Sequence, residues 1–366
     1  MSKKISIREV AFQAGVSIST VSLVLNGKGR ISENTKKKVK HAAVTLGFIL
    51  DHGASKMRSG KSSLFGVIVN NFSSPFFAKL SASLETEAFS NGYLTVIANS
   101  YDNINRQSEL IASMVGSGVG GFIICPAAGS TSGSFSLIQD LSLPYVICAR
   151  DIQDDNADYV GIDNYQCGVL ACKHLFDLGH RKMSVVGGPE DLVLTNQRLL
   201  GFRETLESQG FELQKELTLP GPPTLDFGIK IAKHLIQSSL NFTAIFCYND
   251  IVAYGVYAAL RQSKKVIGQD ISVVGVNNSL ESSIAFPKLT TIEIYPQSIG
   301  QRSVKALINA IKTKNHHREK IILPIELIVR DSTKKNQNPP YISSSKTIRS
   351  SKSMSNIIKT NYKILN

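Results

Sequence analysis

No stretch of the 366 residues approaches the ~18 uninterrupted apolar residues needed to cross a bilayer. No membrane span is therefore expected. The first residues also lack the apolar core of a secretory leader. Met1-Ser2-Lys3-Lys4 runs straight into an amphipathic pattern, as expected of a cytoplasmic chain. Cysteine is scarce, with five residues and no Cys-x-x-Cys. Cys125, Cys148, Cys167, Cys172 and Cys247 lie mostly in apolar runs, which reads as reduced, buried thiols. Signatures of catalysis are missing too. There is no phosphate-binding Gly-x-x-x-x-Gly-Lys, no His-Glu-x-x-His and no Gly-x-Ser-x-Gly. The His316-His317 pair has no acid or cysteine at ligand spacing and reads as surface. Gly116-Ser117-Gly118-Val119-Gly120-Gly121 has dinucleotide-loop spacing, but it precedes an apolar strand instead of following one, so it is rejected. No enzyme, metal or cofactor is expected.

Acidic residues are unevenly absent. Residues 1–61 hold 12 basic and 3 acidic residues, 62–331 hold 22 and 25, and 332–366 hold 7 and none. A basic module of about 60 residues on a near-neutral body points to a polyanion partner for that module alone. It lacks the wide apolar face of a membrane-surface helix.

Three short helices are expected in residues 1–48. Ser6 and Glu9 form a capping box for a helix from Ile7 that Gly15 ends. Ser17 caps a second helix reaching about Leu25, and Asn26-Gly27-Lys28-Gly29 is a loop. Ser32 caps a third, roughly Glu33 to Leu46, ending at Gly47. Residues 49–63 read as a linker. From 64, apolar runs at Leu64–Val69, Leu94–Ala98, Gly121–Cys125, Tyr145–Cys148, Met183–Val186, Ala244–Cys247 and Val273–Val276 alternate with amphipathic stretches. That texture predicts parallel sheets covered on both faces, in two α/β lobes. Residues 332–366, Ser-rich and without acid, read as a disordered basic tail.

Residues 7–26 suit a helix-turn-helix: two helices of about two turns, joined through a glycine and crossing steeply. Val16, Val21 and Leu25 would form the shared core. Ile18, Ser19, Ser22 and Leu23 would be free to enter a major groove. Val10-Ala11, Ala14-Gly15-Val16-Ser17, Ser19-Thr20-Val21-Ser22 and Leu25-Asn26-Gly27 resemble the DNA-binding domain of the LacI–GalR repressor family. The resemblance implies that Ser17, Thr20, Ser22 and Asn26 bind phosphates and that Ile18, Ser19 and Leu23 read bases. Packing is the alternative for Ile18 and Leu23. Most relatives carry Arg where Leu23 stands. Arg can grip guanine with two hydrogen bonds, whereas Leu can only touch a thymine methyl or exclude another base. The resemblance also implies a hinge helix around Ala54 to Arg58 that wedges Met57 into the minor groove. Leu50, where relatives have Pro, and Gly53 inside that helix weaken the parallel, and a plain tether is the alternative.

Residues 64–331 resemble the family's effector domain, with the fold of type I periplasmic sugar-binding proteins. Asn71-Phe72-Ser73-Ser74-Pro75-Phe76-Phe77, Asp163-Asn164, Leu178-Gly179-His180-Arg181, Asn249-Asp250 and Leu289-Thr290-Thr291-Ile292 carry the likeness. The implied chain crosses between lobes near 161, 290 and 320. Ligands in such folds meet the C-terminal strand ends. Phe76 and Phe77 would face a sugar ring, and Arg150, Arg198, Asn249 and Asn277 would grip hydroxyls. Core packing for Phe77 and a structural ion pair for Arg150 are the alternatives. Asn277-Asn278 replaces the usual Asp pair, exchanging anionic acceptors for amides.

The expected protein is an all-α headpiece followed by an α/β two-lobed periplasmic-binding-protein-like domain. It would act as a homodimeric repressor on near-palindromic double-stranded operator DNA, answering to a small-molecule effector, a sugar or sugar derivative.

Overall fold

The computed structural model describes residues 5–25, 29–48, 62–152, 154, 156–313 and 316–337. The chain divides into two units, residues 1–62 and 63–366. In the first, α1 (Ile7–Ala14), α2 (Ile18–Leu25) and α3 (Glu33–Leu46) follow the capping signals closely. The Glu9 carboxylate accepts from the Ser6 amide at 2.7 Å and from the Ser6 hydroxyl at 2.9 Å. Gly15 and Gly47 end their helices at φ +65°, a conformation cheap only without a side chain. Val10, Ala11, Val21, Val24, Val39, Ala42 and Ala43 form the small core. Val24 is buried, while Val16 and Leu25, expected at the centre, are half-buried at its edge.

The second unit holds two six-stranded sheets. The first contains β1 (Leu64–Val69), β2 (Leu94–Asn99), β3 (Gly121–Ile124), β4 (Tyr145–Cys148), β5 (Asp158–Ile162) and β11 (Lys320–Leu323). Their order is β11-β5-β4-β3-β1-β2, with every pairing parallel. The second contains β6 (Met183–Val186), β7 (Thr218–Leu219), β8 (Ala244–Cys247), β9 (Ser272–Val276), β10 (Thr290–Glu293) and β12 (Glu326–Ile328). Its order is β12-β10-β9-β8-β6-β7, and only β12 runs antiparallel. The central strands are buried along their length, as helices on both faces of a parallel sheet require.

Helices connect the strands: α4 (Pro75–Ser90), α5 (Ile104–Gly116), α6 (Ser136–Asp140), α7 (Asn164–Asp177), α8 (Val193–Ser208), α9 (Leu225–Gln237), α10 (Asp250–Gln262), α11 (Leu280–Ile284) and α12 (Pro296–Lys312). The chain leaves the first lobe between Ile162 and Asn164. It returns at Ile294-Tyr295, since α12 packs on α4 and β3–β5, and leaves again at Pro324-Ile325. Each crossing falls a few residues after its expected position. Five strands had no clear signal: β5, β7, β10, β11 and β12 are short, edge-placed or carry polar residues.

The expected start of the tail at 332 is corrected. Ser332 and Thr333 are buried. The Ser332 hydroxyl accepts from Thr290 N and donates to Val273 O, and Lys334 O meets His180 Nε2. The body therefore continues to at least Asn336, whose amide donates to Leu178 O. Residues 338–366 lie outside the described residues. His316, read as surface, has its side chain only 8% exposed and its Nε2 2.8 Å from the Asp158 carboxylate. The five cysteines are buried and free, and burial pushes the Cys125 thiol up to about 12.

Two glycines close the α7–α8 contact. A Cβ on Gly168 would stand 2.0 Å from Arg198 O, and one on Gly201 would stand 2.0 Å from Tyr165 O. Backbone cannot yield as a flexible side-chain tip can, so Gly168→Ala should lower unfolding stability by roughly 1–3 kcal/mol through overpacking. Urea denaturation checks this, and an unmoved midpoint would show that the helices are free to part.

Candidate functional site

The headpiece presents α2 to solvent on one side only. Val21 and Val24 are buried, whereas Ile18 is 46% and Leu23 39% exposed. Ser17 and Ser19 are exposed, and Thr20 and Ser22 are half-buried. The period of 3.6 explains this division, since residues 21 and 24 face the core together and 18, 19 and 23 cannot. Leu23 also rests against Gly29, so it packs locally while keeping an open face. The Ser17 hydroxyl accepts from Thr20 N at 3.1 Å and lies 2.7 Å from Ser19 Oγ. It caps the helix and also lies 2.8 Å from Thr20 Oγ1. Asn26, Ala54 and Met57, along with Leu50 and Gly53, lie outside the described residues.

In the body, all six expected ligand residues line one cavity between the lobes, of about 340 Å³. The first lobe contributes Phe76, Phe77 and Arg150, and the second Arg198, Asn249 and Asn277. Phe76 and Phe77 begin α4 after Pro75 and meet edge to face at 5.0 Å. Both also pack against the core, so Phe77 serves packing and lining together.

Arg150 follows β4 and is likewise both things at once. It makes a bidentate pair with Asp102, Nη1 to Oδ1 at 2.5 Å and Nη2 to Oδ2 at 2.9 Å, and Nη1 also reaches Pro126 O. Burial works to raise the Asp102 carboxyl. The hydrogen bonds and charge of Arg150, with Ala128 N and Asn70 Nδ2, outweigh it and hold the group below its usual value. Asp102 was missed in the sequence. Its position just past the C-terminal end of β2 is the signal that would have found it.

Arg198, on the second turn of α8, is 7% exposed. Its Nε donates to Asn164 Oδ1 at 3.1 Å and its Nη1 to Tyr248 O at 2.6 Å, and the guanidinium lies over the Tyr248 ring. Asn249 caps α10 by accepting from Val252 N. Asn277 sits at φ +114°, tolerated by asparagine better than by most side chains. Its neighbour Asn278 bridges Arg330 Nη2 and Glu293. Beside the cavity, Asp250 lines a small recess with Phe76 and Asn277. Burial pushes its carboxyl up to about 7, against hydrogen bonds from Thr291 Oγ1 and Ser279 N. No group of three or more possible metal ligands occurs among the described residues. No helix there is long and apolar enough to cross a membrane.

Residues 6–51 match the family model for bacterial regulatory proteins, lacI family, and residues 172–333 that for a periplasmic binding protein-like domain. The chain is similar to the maltose regulon regulatory protein MalI of Escherichia coli (strain K12), 28% identical over 339 residues covering 89% of this chain and 98% of MalI. It is similar to the solved transcriptional regulator CelR–cellobiose complex at 26% identity and TM-score 0.69, covering 90% and 99% of the two chains. A LacI family transcriptional regulator from Enterococcus faecium with bound ribose aligns at 27% identity and TM-score 0.67, covering 75% and 100%.

The recess predicts a pH effect. Folded Asp250 holds its proton up to about pH 7, whereas the unfolded chain releases it near the ordinary 3.8. It therefore favours folding fully below about 3.8, and that contribution fades as pH rises towards 7. His180, lowered to about 4 by burial, works the opposite way, so the comparison must be between variants. The unfolding free energy of the wild type minus that of Asp250→Asn should decline from pH 4 to pH 7. A difference independent of pH in that window would refute the assignment.

Proposed function

We propose, from the premise that the chain is a LacI-family transcription regulator with a helix-turn-helix domain ahead of a periplasmic-binding-protein-like body, that it is a homodimeric repressor. It binds a near-palindromic operator and answers to a saccharide or saccharide derivative held between the lobes. The observation that carries this is the one-sided burial of α2, which fixes Val21 and Val24 inside and leaves Ile18, Ser19 and Leu23 open to base edges. Ser17, Thr20, Ser22 and Asn26 supply neutral donors that set register on phosphates without reading sequence. Met57 wedges into the minor groove and unstacks a base step there, and Ala54 is a further DNA contact of the hinge. Chromosomal operators place the protein in the cytoplasm.

Phe76, Phe77, Arg150, Arg198, Asn249 and Asn277 make up the effector site. An apolar wall with a few polar groups suits a saccharide. CelR was solved with cellobiose and the Enterococcus faecium regulator with ribose, which supports that class of ligand. Pairing of two bodies would cover apolar side chains left on the surface, among them Leu94 and Val96 on the edge strand β2 and Leu280, Ile284 and Phe286. A two-fold dimer asks for a two-fold operator. Effector and operator then alter each other's affinity by the same factor.

Selection of bound fragments from genomic DNA at moderate salt tests the reading. One recurring inverted repeat should emerge, held on the order of 10³-fold or more above random duplex. Leu23→Arg should move the preference at one position in each half-site to guanine. Met57→Gly should weaken operator binding and leave effector affinity nearly unchanged. Retention of every duplex with equal strength would end the repressor proposal.

A further inference from the structure

We propose that the molecule sensed in the cleft is anionic, a saccharide-sized compound bearing a phosphate or carboxylate group. This rests on reading the cleft as the effector site. The lining of the cavity contains three charged side chains, Asp102, Arg150 and Arg198. Asp102 and Arg150 cancel through their bidentate pair. Arg198 is left as an uncompensated positive charge, more than nine-tenths buried. Its Nε and Nη1 are spent on neutral acceptors. Among the described residues no carboxylate lies within ion-pair distance, and Nη2 makes no hydrogen bond to protein. The other nearby acid, Asp250, lines the separate recess and has its oxygens taken by Thr291 and Ser279. Asn277 and Asn278 offer amides and no negative charge.

A buried guanidinium without a counter-ion is costly, and the cost falls when an anion meets it. The hydroxyls of a neutral sugar would leave that charge uncompensated. Helix starts push the same way. The first turns or caps of α4, α7, α9 and α10 line the cavity through Phe76, Asn164, Thr224 and Asn249. Each directs the positive end of a helix dipole towards it. Asp163, Asp226 and Asp250 offset three of these ends, and α4 has no acid in its first turn. The volume of about 340 Å³ lies at the small end for ligand pockets, so one sugar unit with its anionic group is an appropriate size.

The test is thermal unfolding and titration calorimetry of the full chain, at ionic strength fixed with chloride. The probes are inorganic phosphate, glucose 6-phosphate, glucuronate, glucose, ribose and cellobiose. At least one anion should stabilise the protein at a concentration about tenfold or more below that of any neutral saccharide, as hydrogen bonds to charged groups are the stronger ones. Glucose 6-phosphate and glucuronate distinguish the two anionic groups. Arg198→Met should remove the anion's effect, and so should Asn277→Asp, which puts a carboxylate into the cavity without deleting a buried side chain. The second variant keeps the test open if the first does not fold. A neutral saccharide that stabilises while every anion does no more than chloride overturns the anionic assignment and leaves the cleft reading standing. Stabilisation by any probe that neither substitution changes, or no stabilisation at all, overturns both.

Discussion

The contact between α7 and α8 through Gly168 governs the cavity between the lobes. With no side chain at 168, the backbone of α8 comes down onto α7 at Arg198, whose carbonyl occupies the space a Cβ would need. That approach brings the Arg198 Nε within reach of Asn164, the first residue of α7. Gly201, one turn later on α8, accepts Tyr165 in the same way. A guanidinium on a long stem has large rotamer freedom. Here helix packing, Asn164 and Tyr248 remove most of it before any ligand arrives, which is how a side chain becomes a preorganised donor.

The same logic extends to the sheets. In parallel βαβ units the strand ends and the following helix starts lie on one edge, so two sheets turned edge to edge collect turns from several separate segments. Asp102 after β2, Arg150 after β4, Asn249 after β8 and Asn277 after β9 reach one cavity for that reason alone. Their sequence separations are large, and nothing local connects them. Three chain crossings join the lobes, so movement of one against the other must be absorbed at Asp163, Tyr295 and Pro324-Ile325. Tyr295, in left-handed backbone at φ +47°, marks the second crossing.

Legibility in the sequence follows the range of the interactions. The headpiece helices are set by side-chain contacts three residues apart, Ser6 with Glu9 and Ser32 with Thr35, and their limits could be read directly. Central strands such as Tyr145–Cys148 announce themselves by burial on both faces. Edge strands do not: β12 has Glu326 exposed and the other two residues half-buried. Nor does its inner neighbour β10, built on Thr290 and Thr291, buried through hydrogen bonds and not apolarity. The strap at Ser332 and Thr333 was hidden for the same reason, since its own hydroxyls hold it to distant strands, Ser332 to the backbone of Thr290 and Val273 and Thr333 to the Thr290 hydroxyl. Asp102 escaped because an acid in a loop is marked only by its place after a strand end. Its meaning appears only when Arg150, 48 residues away, turns back to meet it.

The uncompensated charge bears on how a ligand could move this fold. Phe76, Asp102 and Arg150 come from one lobe and Arg198, Asn249 and Asn277 from the other. Narrowing the cleft removes water from Arg198 while offering it no carboxylate, so closure of the empty protein carries a desolvation cost. A ligand that supplies the missing negative charge cancels that cost only in the closed form, where water is excluded and the pairing is strongest. Its affinity therefore differs between the two forms, and a difference in affinity is what allows a ligand to shift a conformational equilibrium. A molecule bound equally well by the open and closed cleft would leave the equilibrium where it found it. On this proposal the residue that selects the effector and the residue that makes its binding consequential are the same one, Arg198, and Asn277 is the position at which a single added carboxylate would compensate that charge and remove binding and response together.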